Sequence, residues 1–234
     1  MDAKSSKKRL REILLAARKQ KLTKGLTPVK IRSLFEELGP TFVKFGQILS
    51  MRSDMIPEEY CRELAKLRTD VRPMSFTEVT AILSQELAKN GLTPDEFTAI
   101  DPTPLGSASI AQVHKAALKS GEAVVIKIQR PNIKEIMADD IALLRKASGI
   151  LKLAAGTEGI LDLGMILDEL WRTSQEEMNF RKEAAHLETF RQNQKDIRYA
   201  SCPKVYKNFT TTELLVMEYI DGITLKEYIE QEGV

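Results

Sequence analysis

The stretch TPLGSASIAQVHKAALKSGEAVVIKIQRP, residues 103–131, decides the fold of this chain. Its end alternates as a β-strand does, so that the even-numbered residues from Val124 to Ile128 share one face and Lys127 points to the other. Its beginning carries four small residues, Gly106 to Ser109, where backbone N–H groups can approach a phosphate without obstruction by side chains. The stretch therefore predicts either a phosphate-binding loop with its lysine or an ordinary hairpin with a solvated charge.

Residues further along the chain favour the phosphate-binding interpretation. Glu183 lies in a long helical pattern and can supply an ion-pair partner for Lys127, and LLVMEYIDG, residues 214–222, reads as a strand followed by a hinge. The order of loop, lysine, helix glutamate and hinge is that of a protein-kinase nucleotide site. The 56 positions between the lysine and the glutamate (183 − 127) leave room for extra helices that an ordinary kinase lacks.

Periodicity predicts an α+β fold whose first part, residues 1–91, is mostly helical. The helices of this part break at three X-Pro pairs: Gly39-Pro40, Ile56-Pro57 and Arg72-Pro73. Ser75 and Glu78 have the spacing of a capping box, and the helix that they begin ends at Asn90-Gly91.

Downstream of residue 91 the pattern changes to strands and long helices. Strands are predicted at Phe97–Leu105, Ile110–Leu118 and Ala123–Gln129, with two more around Lys207–Thr212. Helices are predicted at Ile133–Ala155, Leu161–Gln192 and Thr224–Gln231. If the second of these helices is regular, Asn179 and Glu183 share a face and Glu177 points elsewhere.

Charge and composition limit the classes of partner. The 234 residues carry a net charge of +2, so bulk charge gives no signal for nucleic acid. Positive residues are concentrated near the N-terminus, where a helix at 5–22 is predicted with Leu10, Ile13, Leu14 and Ala17 on one side. This basic helix is either a solvated face or a contact with an anionic membrane surface.

The remaining compositional signals concern the compartment. Cys61 and Cys202 are the two cysteines, and they suggest a reducing environment. No apolar run approaches the roughly 20 residues that span a bilayer, and the N-terminus lacks the apolar core of a signal peptide. We therefore expect a cytoplasmic chain that is peripheral at the membrane if the basic helix binds lipid. His114, beside the small-residue loop, is interpreted as a structural or half-exposed strand residue.

Five motifs together resemble the UbiB/AarF-type atypical kinases, a family linked to coenzyme Q biology. KFGQ, residues 44–47, matches the K-x-G-Q signature of that family, and PLGSASIAQVH matches the small-residue loop that replaces the usual glycine-rich loop. VVIKIQRP matches its lysine strand, and MEYIDG matches its hinge. EEMNFRKEA resembles its E-x-D region followed by the helix glutamate. The resemblance covers roughly residues 30–232.

The resemblance implies a protein-kinase-like N-lobe with an antiparallel sheet and long inserted helices at 92–234, preceded by a helical extension at 1–91. It also implies that ATP or ADP binds with Mg²⁺, whose protein ligands are unknown. The residues that it assigns to the nucleotide are Gly106, Ser107, Ala108, Ser109, Ile110, Lys127, Glu183, Glu218 and Ile220. The residues that it assigns to an extension over the nucleotide cleft are Lys44, Gly46, Gln47, Glu177 and Asn179.

The chain departs from the family pattern in two ways. The aspartate of E-x-D is Asn179, which offers a carbonyl oxygen to a metal but adds no charge. No candidate for the catalytic loop or the D-F-G aspartate precedes Val234, so we expect those groups in a C-lobe that these residues do not include.

The resemblance thus implies the ATP-binding portion of a UbiB-type atypical kinase or ATPase that supports ubiquinone biosynthesis or membrane lipid homeostasis. Whether the chain is an enzyme by itself stays open. The alternatives are a non-catalytic nucleotide-binding or scaffolding module and one half of a truncated or split enzyme. The expected partners are an adenine nucleotide, an anionic membrane surface or an isoprenoid lipid, and the missing C-lobe, with no nucleic acid.

Overall fold

A computed structural model describes residues 3–21, 25–67, 72–155, 163–194 and 197–232. Its helices are α1 (Ala3–Lys19), α2 (Pro28–Leu38), α3 (Pro40–Ser50), α4 (Glu58–Leu64), α5 (Phe76–Ala88), α6 (Ile133–Ala155), α7 (Leu163–Glu177), α8 (Phe180–Asn193) and α9 (Leu225–Glu232). Its strands are β1 (Phe97–Ser107), β2 (Ala111–Leu118), β3 (Ala123–Gln129) and β4 (Leu214–Glu218). The fold is therefore α+β, as the sequence predicts. Leu22 of the predicted basic helix and Leu161 of a later one lie outside the described residues.

The chain divides into two compact units. The first, called the helical unit, comprises residues 1–78, 106–112 and 129–179. The second, called the sheet unit, comprises residues 79–105, 113–128 and 180–234. The boundary at residue 91 between an extension and an N-lobe stays a prediction.

The core of the helical unit is built around α3. This helix packs against α2, α4, α6 and α7. The ring of Phe35 on α2 lies 6.0 Å from that of Phe42 and 5.9 Å from that of Phe45, measured between centroids. Gly46 lies in the same contact, where a Cβ would come within 2.3 Å of Leu67 Cδ1 and 2.7 Å of Phe35 Cδ2. The glycine of the K-x-G-Q motif thus allows α3 to pack closely against its neighbours.

The core of the sheet unit lies against a sheet with strand order β1-β2-β3-β4. β3 and β4 pair antiparallel, with Lys127 opposite Leu215. Val124, Ile126 and Ile128 are fully buried, as the alternation predicts. α8 packs against β4. Because β4 pairs with β3, this contact places α8 near the strand that carries Lys127.

Local signals account for most of the helix ends. α2 and α3 are separated by Gly39, whose φ of 93° lies in the left-handed region that favours glycine. Pro40 then occupies the first turn of α3, where its missing N–H leaves no helical hydrogen bond unmade. The capping box before α5 is confirmed, because the amide of Glu78 donates to Ser75 Oγ and the amide of Ser75 donates to the Glu78 carboxylate.

The single helix predicted at 161–192 is wrong. α7 ends at Glu177 and α8 begins at Phe180. The carbonyl of Met178 accepts a hydrogen bond from the side-chain amide of Gln129 at 2.8 Å, and the amide of Phe180 donates to the carbonyl of Thr212 at 3.0 Å. Because both partners lie far along the chain, the apolar spacing that continues through the break cannot reveal it.

Of the two strands predicted on either side of Lys207–Thr212, the second is confirmed as β4 and the first is reduced to an isolated bridge. Residues Lys207–Phe209 form a short 3-10 helix, and Val205 makes an isolated bridge with Met217. The strand of this region is β4, which follows at Leu214. The hydroxyl of Thr211 accepts from the amides of Glu213 and Leu214 and so closes a turn between them.

The predicted apolar side of α1 is buried only in part. Ala16 is buried, and Ile13 and Ala17 pack against the core. Leu10 and Leu14, predicted on the same side, are 45% and 59% exposed. Arg9 sets this rotation, because its Nε donates to Asp140 on α6 at 2.6 Å and its Nη2 donates to the carbonyl of Leu38 at 2.7 Å. Among the described helices, none has the length and apolarity that a bilayer span requires.

Candidate nucleotide-binding site

The structure brings Lys127 of β3 together with Glu183 of α8. Lys127 Nζ lies 2.9 Å and 2.8 Å from the two carboxylate oxygens of Glu183. The side chains are 26% and 35% exposed, so the pair is reachable from solvent. Two of the three ammonium N–H groups are engaged by the carboxylate, and one is left to meet a ligand.

Phe180 forms the apolar support of this pair, and the sequence alone did not single it out. Its side chain is fully buried, and Lys127 Nζ lies 4.9 Å from its ring centroid. A cation near an aromatic ring is attracted by the ring quadrupole. Phe180 is the first residue of α8 and lies three positions before Glu183, so the helix break sets both the ring and the carboxylate.

The predicted hinge follows β4 directly. The amide of Glu218 donates to the carbonyl of Lys204, and the amide of Tyr219 donates to the carbonyl of Ala123. Within the described residues, no hydrogen bond engages the backbone of Ile220. The side chain of Glu218 accepts from the amide of Lys204 at 3.0 Å. The Ile220 backbone is thus a hinge group that is open to a ligand.

A cavity of about 550 Å³ also adjoins the hinge. It is lined by Glu218–Asp221 and by Arg191, Gln194 and residues 200–202. Lys127 and Glu183 do not line this cavity. The cavity is therefore not where phosphates bound to Lys127 would lie, and its size alone carries no argument for adenine.

The small-residue loop begins within a strand. Gly106 and Ser107 are the last residues of β1, and the irregular segment is residues 108–110. The amide of Ala108 donates to the carbonyl of Ala111 at 2.8 Å. A Cβ on Gly106 would meet nothing within 4 Å, so this glycine is not required by packing within the protein.

Gln112 holds the loop to the segment before α5. Its side-chain oxygen accepts from the amide of Met74 at 2.7 Å, and its side-chain nitrogen donates to the carbonyl of Met74 at 3.3 Å. The hydroxyl of Ser107 also lies 3.4 Å from the same oxygen. Gln112 is fully buried, and its position in the matched loop motif was the signal available from the sequence.

The structure also brings together Lys44 of α3 and Glu177 of α7. Their Nζ and Oε1 atoms are 2.5 Å apart. The expectation that Glu177 points away rested on a regular helix through Asn179, and α7 ends at Glu177 instead. Asn179 Oδ1 is buried and has no hydrogen-bond partner among the described residues. Within the described residues, Gln47 makes no hydrogen bond with Lys44 or Glu177, and its backbone carbonyl accepts from the hydroxyl of Ser50.

The fold also places the histidine that follows the small-residue loop in the sequence. His114 is fully buried, and its Nδ1 lies 2.7 Å from the carbonyl oxygen of Asp101, which assigns the ring a structural role. Over the described residues, no group of three or more histidine, cysteine, aspartate or glutamate side chains has a metal-binding arrangement.

A model of the ABC1 atypical kinase-like domain matches residues 66–234. The chain belongs to the ABC1 atypical kinase-like family. It is 39% identical over 199 residues to a protein of Clostridium pasteurianum described as an uncharacterized protein in the hydrogenase 1 5′ region, covering 85% of this chain and 37% of the relative. It is 36% identical over 205 residues to a probable protein kinase UbiB of Shewanella halifaxensis, covering 87% of this chain and 37% of the relative.

A solved structure has a similar fold. The Rv3197 protein of Mycobacterium tuberculosis, solved in complex with erythromycin, is 30% identical and superposes with a TM-score of 0.55. The match covers 79% of this chain and 46% of that one. The chain thus spans less than half the length of these relatives, and the antiparallel sheet with its helices is the kinase-like fold that the five motifs predict.

Proposed function

We propose that this chain is the ATP-binding portion of an atypical kinase or ATPase that supports isoprenoid quinone biosynthesis or membrane lipid homeostasis. The observation that carries the proposal is the ion pair between Lys127 and Glu183. In kinases this pairing presents the lysine to the nucleotide phosphates. The relative named as a probable protein kinase UbiB favours kinase chemistry, and the resemblance of the five motifs to the UbiB/AarF family favours the role in quinone biosynthesis.

Within the sheet unit, Lys127 and the hinge have separate roles in this proposal. The third N–H of the lysine contacts phosphate oxygens, and Glu183 and Phe180 hold the ammonium in position. The open backbone groups of Ile220 bind adenine. In the helical unit, the small-residue loop, residues 106–110, has backbone amides of the kind that bind phosphate oxygens.

Magnesium enters the proposal with the nucleotide. The described residues contain no ready cluster of acidic ligands, whereas Mg²⁺ usually keeps several waters and uses one or two protein groups plus substrate phosphates. In the helical unit, Asn179 has the chemistry of such a protein group, because its buried Oδ1 has no hydrogen-bond partner in the part of the chain that the structure describes. When bound, the metal supplies positive charge between the phosphates.

The test is titration calorimetry with ATP and Mg²⁺ on three proteins. We expect the wild type to bind and Lys127→Met to lose affinity by at least about tenfold, which corresponds to about 1.4 kcal/mol. Lys119→Met is the matched control, because Lys119 is exposed in the turn before β3 and its side chain makes no ion pair among the described residues. No binding by the wild type, or equal binding by Lys127→Met, would show the proposal to be wrong.

We propose that the segment after β4 contacts the C-lobe of the kinase-like domain. Its large apolar side chains are exposed, with Ile223 at 58% and Leu225 at 74%. Exposed apolar residues that cluster along one segment mark interaction surfaces more often than isolated ones do. We assign this segment to the contact with the remainder of the kinase-like domain.

A peripheral membrane contact is favoured by α1. Its outward side carries Leu10, Leu14 and Leu15 together with exposed basic residues: Lys7, Lys8, Arg11, Arg18 and Lys19. A helix with apolar residues flanked by lysine and arginine lies in the plane of an anionic membrane surface. We assign this side of α1 to such a surface, and Leu14 and Leu15 to the acyl boundary.

A further inference from the structure

Arg130 makes three hydrogen bonds with the small-residue loop. Its Nε donates to the carbonyl of Ala108 at 2.9 Å, and its Nη2 donates to the hydroxyl of Ser107 at 2.7 Å. Its backbone amide donates to the carbonyl of Ile110 at 2.8 Å. One residue, placed directly after β3, therefore holds three positions of the loop.

The same guanidinium also reaches a second segment. Nη2 donates to the carbonyl of Arg72 at 3.0 Å, close in the chain to Met74, which Gln112 binds through its amide and carbonyl. The loop is thus held on two sides by Arg130 and Gln112. All of these residues lie in the helical unit.

The bond to Ala108 sets the direction of the next amide. In a trans peptide the carbonyl and the following N–H point in opposite directions, and the chain contains no cis peptide bond among the described residues. Because the carbonyl of Ala108 points at Arg130, the N–H of Ser109 points away from it. Within the described residues, no hydrogen bond engages the amides of Ser109 and Ile110.

The charge of Arg130 is not neutralised by a direct partner. In the described ranges it makes no ion pair with a carboxylate, and its acceptors are two carbonyls and one hydroxyl. Burial lowers the pKa of the guanidinium, and the more distant carboxylate of Glu78 opposes that shift. Arginine stays charged in proteins, so a positive charge remains behind the loop.

We propose that Arg130 is the positioning residue of the small-residue loop: it turns the amide of Ser109 away from its own guanidinium, so that this amide can donate to an anionic ligand, and it places an unneutralised positive charge on the opposite side of the peptide. The inference rests on the proposed nucleotide-binding function. Because no hydrogen bond within the described residues engages it, the amide of Ser109 is available to donate to a phosphate oxygen. Arg130 does not need to touch the nucleotide for this role.

Two substitutions distinguish the charge of Arg130 from the planar shape of its guanidinium group. Arg130→Lys keeps a positive charge but replaces the planar fork with one ammonium on a flexible stem, so it cannot hold Ala108 and Ser107 in the same way. Arg130→Ala removes both the charge and the fork. We expect nucleotide affinity to fall by about tenfold in Arg130→Ala and by less in Arg130→Lys.

The experiment combines amide hydrogen exchange without nucleotide and calorimetry with ATP and Mg²⁺. In Arg130→Ala we expect faster exchange confined to residues 106–112, together with the loss of affinity. Guanidinium ion at millimolar concentration should restore part of the affinity of Arg130→Ala, and it should restore none to Lys127→Met. Arg130→Lys serves the same comparison if Arg130→Ala does not fold, as judged by circular dichroism.

Arg9→Ala is the matched control. Arg9 is another partly buried arginine of the helical unit whose guanidinium binds a backbone carbonyl, that of Leu38. We expect its loss to lower the thermal stability and to leave loop exchange and nucleotide affinity unchanged.

The outcomes separate the two proposals. Unchanged loop exchange in Arg130→Ala would overturn the positioning role. Faster exchange with unchanged affinity would also overturn it, while wild-type binding that depends on Lys127 would leave the nucleotide site standing. No binding by the wild type would overturn both.

Discussion

Lys44 and Glu177 are 133 positions apart and form an ion pair that joins α3 to α7. The side chain of Lys44 is 14% exposed and that of Glu177 is 53% exposed. The solvent exposure of this pair is therefore intermediate between that of a buried and that of a surface ion pair. Because it links the K-x-G-Q motif to the first residue of the E-x-D region, it sets the relative position of two helices within the helical unit.

A double-mutant cycle measures the strength of this pair. For Lys44→Met and Glu177→Gln in urea unfolding, we expect a coupling free energy of about 0.5 to 1 kcal/mol, toward the upper end for pairs with solvent access. The matched control is the exposed pair of Arg62 and Glu58, four positions apart on α4, which should couple by about 0.3 to 0.5 kcal/mol. A coupling no larger than that of the control would contradict the prediction.

Gly46→Ala tests close packing at the K-x-G-Q motif. Alanine gains about 1 kcal/mol of helix propensity over glycine. The added methyl overlaps Leu67 and the ring of Phe35, and overpacking costs about 1 to 3 kcal/mol. We expect a net loss of stability in thermal unfolding. Gly106→Ala, whose Cβ meets nothing within 4 Å, should change stability little, and a stabilised Gly46→Ala would refute the packing argument.

The surroundings of Glu213 predict that the stability of the protein depends on pH. Burial and the neighbouring carboxylate of Glu86 raise its pKa above the ordinary value of 4.5, against a smaller opposing effect of Lys89. The folded state therefore favours the protonated form, so the free energy of unfolding falls as pH rises from 4.5 through the raised pKa. Glu213→Gln should remove this fall and unfold at a higher temperature than the wild type at neutral pH.

Glu37 provides a control of opposite sign. Hydrogen bonds from Lys19 and Gln20 lower its pKa below 4.5. Its contribution to stability is present above the ordinary value and disappears as pH falls through the lowered pKa. Glu37→Gln should thus lose stability at neutral pH. The same direction of change in both variants would mean that the environment of Glu213 is misjudged.

The outward side of α1 predicts salt-sensitive binding to vesicles of phosphatidylserine and phosphatidylcholine. Each lysine or arginine near an anionic surface contributes about 1 kcal/mol. Co-sedimentation should fall with added salt and should fall further in Leu14→Ser with Leu15→Ser. Leu26→Ser is the control, because Leu26 is similarly exposed but lies outside α1. Binding that ignores both salt and the leucine substitutions would rule out this surface.

The sequence predicted the elements whose signals are local. β3 and α6 have the predicted ends, Ala123–Gln129 and Ile133–Ala155, because alternation and helical spacing extend without interruption through each. The capping box at Ser75 and the break at Gly39 were also readable, since each depends on residues within one turn. The pairing of Lys127 with Glu183 was predicted from the resemblance to a kinase family, in which the order of the motifs along the chain indicates which residues are close in space.

Contacts between distant residues decided the rest. The rotation of α1 depends on Arg9 and Asp140, and the break between α7 and α8 depends on Gln129, which binds the carbonyl of Met178. By itself, the sequence determined which side of β3 carries Lys127, because alternation in a strand is geometric. Only the tertiary structure decided that Arg130 binds the loop at Ala108, because a guanidinium selects its acceptors by distance and direction after both segments have folded.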